Sequence, residues 1–420
     1  MTPDKTIDGF DTARWLGPID DNLKAITAFW RERGLDPAGG YNTVFDRDGV
    51  VCPTSLKTLV AQTRILWTYS SLAQFTGDQA FADLAGYGFD FLVQRFHDEQ
   101  FGGWYWSVDG DQVVDPAKLM YGQSFAIYGL CAFATATGDQ AARDLAVGTF
   151  DVIHQAADLA YGGFWENIDR QWAPEDSPSG RRKSLDIHLH LMEAFTALGR
   201  LTGDKTHLRR LAEIRDLLLR QMIDPASGVG GTQYDAAFVP LEPIVIDRTW
   251  IAERTEEAAQ APGAFTTSYS HNLELGWLLG DADELLDGNR GRHADLVDHL
   301  ADHTLRFGYD HDNGGVYREG PPLGPATDQD KEFWQNAEAL IGFLHAYELT
   351  GKPEYAAGFA GTWTFAQRHL IHPSLGEWHI RASRTGQLID DALGNQWTGG
   401  YHTVRAPLEC RARLTRLAGA

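Results

Sequence analysis

Ten residues of this 420-residue chain have types and spacings that could carry chemistry: Arg64, Tyr121, Asp186, His190, His271, Glu274, Trp334, Glu338, Trp397 and His402. Asp186 and His190 are four apart, His271 and Glu274 three, Trp334 and Glu338 four, so each pair shares a face if its segment is a helix. Taken singly, each has a bland explanation. A buried His is usually a hydrogen-bonded core residue, an Arg–Glu pair is usually structural, and a Trp usually packs. Convergence changes that balance, because three histidines, an arginine and two glutamates from separate apolar segments are costly to desolvate unless paired or used. Histidine takes and returns protons near neutrality, and arginine stabilises an oxyanion as it develops. The set suits proton transfer α to a carbonyl, with no cofactor.

Other chemistries fit less well. His188 and His190 lie two apart, pointing about 200° away from each other on a helix, and cannot chelate together. His190, His271 and His402 remain a conceivable metal set, but no metal is expected. Glu274 and Glu338 could flank a glycosidic bond, which would leave the histidines and the arginine without work. The chain has no G-x-S-x-G elbow, P-loop or dinucleotide fingerprint.

Two interleaved repeats specify the elements that must position these residues. A glycine doublet before an aromatic or β-type residue recurs at Gly39-Gly40-Tyr41, Gly102-Gly103-Trp104, Gly162-Gly163-Phe164, Gly230-Gly231-Thr232 and Gly314-Gly315-Val316, with a degenerate Gly376-Glu377-Trp378, in steps of about 60 to about 84 residues. Between them lie Thr76-Gly77-Asp78, Thr137-Gly138-Asp139, Thr202-Gly203-Asp204, Gly280-Asp281 and Thr350-Gly351-Lys352. One supersecondary unit is therefore repeated about six times.

Within a unit, a segment apolar almost all round alternates with one carrying a single apolar stripe, such as Leu208, Leu211, Ile214, Leu218 and Met222. The buried helices are expected near 56–75, 119–136, 184–201, 267–279, 332–349 and 397–415. The half-exposed ones are expected near 19–34, 79–96, 140–156, 205–222, 289–307 and 353–369. Six hairpins close into an all-α (α/α)6 barrel, one domain over 1–420, with short β-type loops at the mouth where the inner helices begin. Gln123, like the ten residues above, is expected to face the axis there. Longer stretches at 172–180, 238–263 and 320–331 are expected at the same end.

The composition allows a large core: 43% hydrophobic and 22% charged, with 48 aromatic residues that can also line sugar clefts. A formal charge of −22 repels phosphate backbones and anionic membranes, so neither nucleic acid nor membrane is an expected partner. Cys52, Cys131 and Cys410 suit a reducing compartment rather than a disulfide framework. No apolar run marks a signal peptide or a membrane span. The expectation is a cytoplasmic monomer or homodimer.

Five segments resemble the N-acylglucosamine 2-epimerase superfamily, which includes cellobiose and mannose 2-epimerases and mannose and sulfoquinovose isomerases. They are Leu59-Val60-Ala61-Gln62-Thr63-Arg64, Tyr121-Gly122-Gln123-Ser124-Phe125, Asp186 to Ala194, Ser270-His271-Asn272-Leu273-Glu274, and Gly394-Asn395-Gln396-Trp397 with Tyr401-His402. The resemblance runs from about Trp30 to Arg405 and implies roles. His271 and His402 are the acid/base pair, Arg64 holds the oxygen that becomes anionic, and His190 hydrogen-bonds the sugar. Glu274 orients His271, Glu338 gives similar support, and Trp334 and Trp397 stack on sugar rings, with Tyr121 and Asp186 also binding substrate. Three positions depart from the family pattern: Asp186 stands for Asn, Ser270 for Gly, and Asn272 for the Asp of cellobiose epimerases. The text before His271 looks closer to the epimerase branch. The resemblance thus implies a cofactor-independent aldose 2-epimerase acting through a cis-enediolate. An aldose–ketose isomerase (mannose to fructose, or sulfoquinovose type) is the alternative, with a glycoside hydrolase or a non-catalytic sugar-binding barrel behind it.

Overall fold

A computed structural model describes residues 10–176, 180–241 and 266–419. Twelve α-helices follow one another among them: α1 (Ala13–Arg33), α2 (Leu59–Thr76), α3 (Gln79–Arg95), α4 (Met120–Thr137), α5 (Gln140–Ile153), α6 (Leu185–Thr202), α7 (Lys205–Leu217), α8 (Tyr269–Asp287), α9 (Ala294–His303), α10 (Phe333–Thr350), α11 (Pro353–Phe365) and α12 (Tyr401–Gly419). The even-numbered helices, buried on nearly every side, pack in sequence into an inner ring in which α12 returns to α2. The odd-numbered ones pack outside. The first helix, α1, lies on the last, α12, so the two ends of the described chain make the sixth hairpin and close the (α/α)6 barrel.

Local chemistry sets the boundaries. Gly77, Gly138, Gly203 and Gly351 end inner helices in the left-handed conformation, and Asp78, Asp139 and Asp204 cap the outer helices that follow. The fourth unit differs from expectation. Gly280-Asp281 is not a boundary; α8 runs through it to Gly288 (φ 65°). Gly280 instead allows close packing, since a Cβ there would lie 2.7 Å from Nε2 of His345. Arg215, which lies off the apolar stripe of α7, is nevertheless buried against Asp283 and Asp287 at 3.0 and 2.7 Å. No helix among the described residues is long and apolar enough to cross a membrane.

Each doublet forms a turn that its own inner helix clamps. The N–H groups of Asp98, Asp158 and Asp310 donate to the carbonyls of Gly103, Gly163 and Gly315. The fourth residue of an inner helix then accepts from the N–H just past the turn: Gln62 from Tyr41 (2.8 Å), Gln123 from Trp104 (3.0 Å), His188 from Phe164 (3.0 Å), Asn272 from Gly230 (2.8 Å) and Asn336 from Val316 (2.9 Å). Gln123 therefore faces a loop and not the axis, and the Asn272 departure falls at a clamp position. In the fourth unit the turn lies two residues upstream of the expected doublet, with Gly228 left-handed (φ 72°) and Asp224 bonded to Val229. The degenerate sixth copy also has a physical reason. Val404 occupies the clamp position of α12, and Glu377, in the second glycine's place, itself accepts from Trp378 N–H (3.0 Å) and from the Trp30 indole (2.7 Å).

A second tie is ionic. Buried Lys57, Lys118, Lys183 and Lys331, just ahead of their inner helices, bond Asp36, Asp98, Asp158 and Asp310 at 2.6, 3.0, 2.7 and 2.9 Å. Short strands link neighbouring units: β1 (Leu56–Thr58) with β2 (Ser107–Asp109) and β3 (Gln112–Asp115), β4 (Lys183–Ser184) with β5 (Gln233–Tyr234), β6 (Thr267–Ser268) with β7 (Glu319–Gly320), and β8 (Lys331–Glu332) with β9 (Arg381–Ala382) and β10 (Leu388–Asp390). Of the longer loops expected at the mouth, 320–331 connects β7 to β8; residues 177–179 and 242–263 of the other two lie outside the described residues.

One glycine shows how tight the clamp is. Gly163 has φ 74°, and a Cβ there would lie 2.6 Å from Nε2 of His188. Gly163→Ala combines left-handed strain with this clash and is expected to destabilise the protein by about 2 kcal/mol, read as a lower urea midpoint.

Candidate active site

The early turns of the inner helices enclose a cavity of about 200 Å³ at the mouth. Arg64, Tyr121, His190, His271, Glu274, Trp334, Trp397 and His402 line it, so eight of the ten expected residues meet there. Asp186 and Glu338 stand behind the lining and hold the histidines.

The two histidines expected to be the acid/base pair are supported differently. His402 Nδ1 lies 2.7 Å from Oε1 of Glu338, which leaves Nε2 as the ring nitrogen for the cavity. Burial, with Arg64 and Arg405 nearby, holds its pKa well below the ordinary histidine value, so it rests neutral. His271 Nε2 lies 3.4 Å from Oδ1 of Asp186. Burial opposes charge on His271, but Asp186 and Glu274 outweigh it and raise its pKa. One histidine is thus poised to accept a proton and the other to give one. Trp334 packs against both rings, with centroids 4.7 Å from His271 and 5.7 Å from His402, while its indole N–H bonds Glu332.

The expected supporting roles shift. Glu274 does not hold His271 by a hydrogen bond; its Oε1 accepts from Arg405 at 2.7 Å, and the carboxylate beside His271 is Asp186. His190, expected to hydrogen-bond sugar, has both ring nitrogens engaged already, Nδ1 with Glu193 at 3.0 Å and Nε2 with Asp186 at 3.1 Å. Burial works against its charge, yet these carboxylates raise its pKa to about 9. His188, two residues away, turns outward to its loop, and burial lowers its pKa to about 4.

Arg64 is the cation left for a ligand. It is 5% exposed, donates to Trp397 O (2.6 Å) and Tyr121 Oη (2.8 Å), and lies over the Phe125 ring at 4.3 Å. Its Nε has no hydrogen-bond partner, and no carboxylate among the described residues pairs with it. A buried guanidinium in that state favours an anionic oxygen in the cavity.

Below the cavity lies a centre that the sequence reading passed over. Arg405 of α12, fully buried, donates to Glu193 (2.5 Å), Glu274 (2.7 Å) and Glu338 (2.7 Å), and contacts Tyr401 Oη. Its guanidinium stacks between Tyr401 and Trp277, 3.9 and 4.9 Å from their ring centroids. Glu274, Glu338 and His402 bring ligand atoms within 4.8 Å of one another, but Arg405 already supplies the cation between the two carboxylates. Burial, and then the Glu338 charge, push the Glu274 pKa up to about 7, while Arg405 and His190 overcome burial to hold Glu193 at about 2. The signal for Arg405 and Glu193 was present: they follow His402 and His190 by three residues, one turn deeper on the same helices. Glu332 of β8, Arg381 of β9, Asp390 of β10 and Asn395 add polar groups to the rim.

The N-acylglucosamine 2-epimerase family model matches residues 39–406. The cellobiose 2-epimerase of Bacteroides fragilis is 28% identical over 398 residues, covering 91% of this chain and 95% of that one. The D-mannose isomerase of Marinomonas mediterranea is 24% identical, covering 97% and 98%. The solved cellobiose 2-epimerase of Spirochaeta thermophila superposes with a TM-score of 0.82 at 27% identity, covering 97% of this chain and 98% of its own. A barrel of six helical hairpins, a mouth carrying two oppositely poised histidines around an unpaired arginine, and a match across most of its length place this chain in the N-acylglucosamine 2-epimerase family of carbohydrate epimerases and isomerases.

Proposed function

We propose that the protein is an aldose 2-epimerase that inverts C2 of a reducing sugar of the mannose/glucose or cellobiose type, with its own side chains and no cofactor. The observation that carries this is the pair of histidines in one cavity, His402 held neutral and His271 held toward its charged form. In the open-chain aldose, His402 Nε2 removes the C2 proton. The electron pair moves to the carbonyl oxygen, giving a cis-enediolate whose charge Arg64 stabilises. His271 then returns a proton to C2 from the other face. Trp334 and Trp397 supply apolar walls for the sugar, and Tyr121 fixes Arg64.

Similarity to a mannose isomerase favours one second reading, in which the proton returns to C1 and a ketose forms. Heavy water decides between them. Mannose, glucose and cellobiose are incubated in it and followed by NMR; deuterium at C2 of the epimer supports the epimerase. Fructose from mannose, with no glucose, assigns the isomerase, and no conversion with no exchange overturns both.

The histidine supports also predict a pH profile. For the sugar whose C2 proton faces His402, kcat/KM falls in acid only as His402 protonates, below the ordinary histidine range, and falls in base as His271 deprotonates, above it. Asp186→Asn removes the charge that raises His271, so the alkaline limb moves to lower pH while the acid limb stays. We also infer a monomer or homodimer in a reducing compartment, with no nucleic-acid or membrane partner. Cys52, Cys131 and Cys410 are all free thiols, and sedimentation equilibrium reads the oligomeric state.

A further inference from the structure

Trp334 meets both histidines of the acid/base pair. Its ring centroid lies 4.7 Å from that of His271 and 5.7 Å from that of His402, tilted by 43° against each. The polar edge of the indole is engaged elsewhere. Its N–H donates to Glu332 Oε2 at 2.7 Å, and Oε1 of the same carboxylate lies 3.1 Å from Nε of the buried Arg318. The ring is therefore fixed before any sugar arrives.

An indole face carries negative potential and attracts a cation within about 6 Å of the ring centre. A carboxylate that accepts the indole N–H leaves the ring richer in electrons and strengthens that attraction. The charged and titratable groups facing His271 are Asp186 and His190 of α6, Glu274 of its own helix and Glu319 of β7. Those facing His402 are Glu338, Glu193 and His190, with Arg64 and Arg405. Trp334 adds an uncharged partner common to both rings.

The charge on the two rings changes during the proposed reaction. In the free enzyme His271 is the imidazolium and His402 is neutral. When the C2–H bond breaks, the proton forms an N–H bond on His402 while His271 still holds its own, so both rings are charged opposite one enediolate anion. When His271 gives its proton to C2, His402 is left as the imidazolium. The two-cation state thus occurs only at the enediolate, where stabilisation lowers the barrier. We propose that Trp334 is the shared π partner of these imidazoliums, a catalytic residue as well as a wall for the sugar. It favours the charged form of either histidine and contributes most when both are charged. This inference rests on the two-histidine reading.

The titration of His271 in the free protein tests this role without sugar. Histidine is isotope-labelled, the His271 signal is assigned by its loss in His271→Gln, and it is followed by NMR against pH. Trp334→Leu removes the π face and keeps the wall apolar, whereas Trp334→Phe keeps a face. The His271 pKa is expected to fall by at least about 0.5 in Trp334→Leu and to stay closer to the parent than to the leucine variant in Trp334→Phe. The alkaline limb of kcat/KM should move in the same order. Trp334→Met replaces the leucine variant should that one not fold. A ring that only stacks on sugar leaves the titration of the free protein where it is. A smaller fall in a folded leucine or methionine variant, or a phenylalanine variant closer to it than to the parent, overturns the role. The two ideas fail separately. Neither conversion nor C2 exchange in the wild type removes the epimerase reading and the catalytic use of the pair, whereas C2 deuterium with an unmoved His271 titration removes the role of Trp334 alone.

Discussion

His402→Gln lowers turnover by about a thousand-fold and leaves folding stability within about 1 kcal/mol of the parent. Glutamine keeps the side chain polar and of similar reach, but it has no basic nitrogen, so the C2 proton has no acceptor on that face. The loss should appear in kcat and kcat/KM together, because the lost interaction exists only in the transition state. C2 hydrogen exchange in heavy water gives an independent check: a sugar whose C2 proton faces His402 should stop exchanging. Retention of most of the parent's turnover removes His402 from the chemistry.

The second large effect is on stability. Arg405→Met keeps the length and the apolar stem but removes the cation shared by Glu193, Glu274 and Glu338, all within 2.7 Å of it. Glu274 and Glu338 are then buried without their cation, Glu193 keeps only His190 as counter-charge, and the cost is about 3–5 kcal/mol. The pH dependence gives the effect its signature. Glu274 already has its pKa raised from an ordinary 4.5 to about 7, chiefly by burial. A carboxyl raised on folding weighs against the fold as pH climbs above its unfolded value, and losing Arg405 raises it further. The variant should therefore lie closest to the parent near pH 4.5 and fall away toward neutrality, as urea midpoints across that range would show.

Most of the fold was legible because its markers are backbone requirements. Thr-Gly-Asp is a helix stop followed by a helix start, and the doublet is a turn that side chains cannot enter. Both fail as markers where the backbone finds another solution: Gly280 serves packing, and Gly228 takes over a turn from Gly230. The lining of the site was legible for a related reason, since ionisable residues stand out on apolar helices. The connections between those residues were not. Asp186 and Glu274 are each one helical turn from a histidine, and spacing alone assigns each to its own helix neighbour. The folded ring sets Asp186 against His271 of the next helix as well as His190 of its own, and Glu274 against Arg405 of the last. Arg405 and Glu193 lie one turn below the lining histidines, where spacing alone does not separate them from an ordinary buried ion pair.

The closure of the ring by its own ends has a consequence in time. A ribosome delivers α1 first and α12 last, and N-terminal segments begin to fold while the rest is still being made. Five hairpins can assemble during synthesis, and the last turn of α1 can meet Tyr69 and Phe45, but the inner helix that α1 lies along, α12, emerges last. That helix brings His402 and Arg405 together with the surface that α1 needs. A nascent chain stopped before residue 400 has a glutamate cluster without Arg405, an outer helix without the inner helix it lies along, and no His402. The proposed base therefore arrives at the same moment as the helix that completes the barrel.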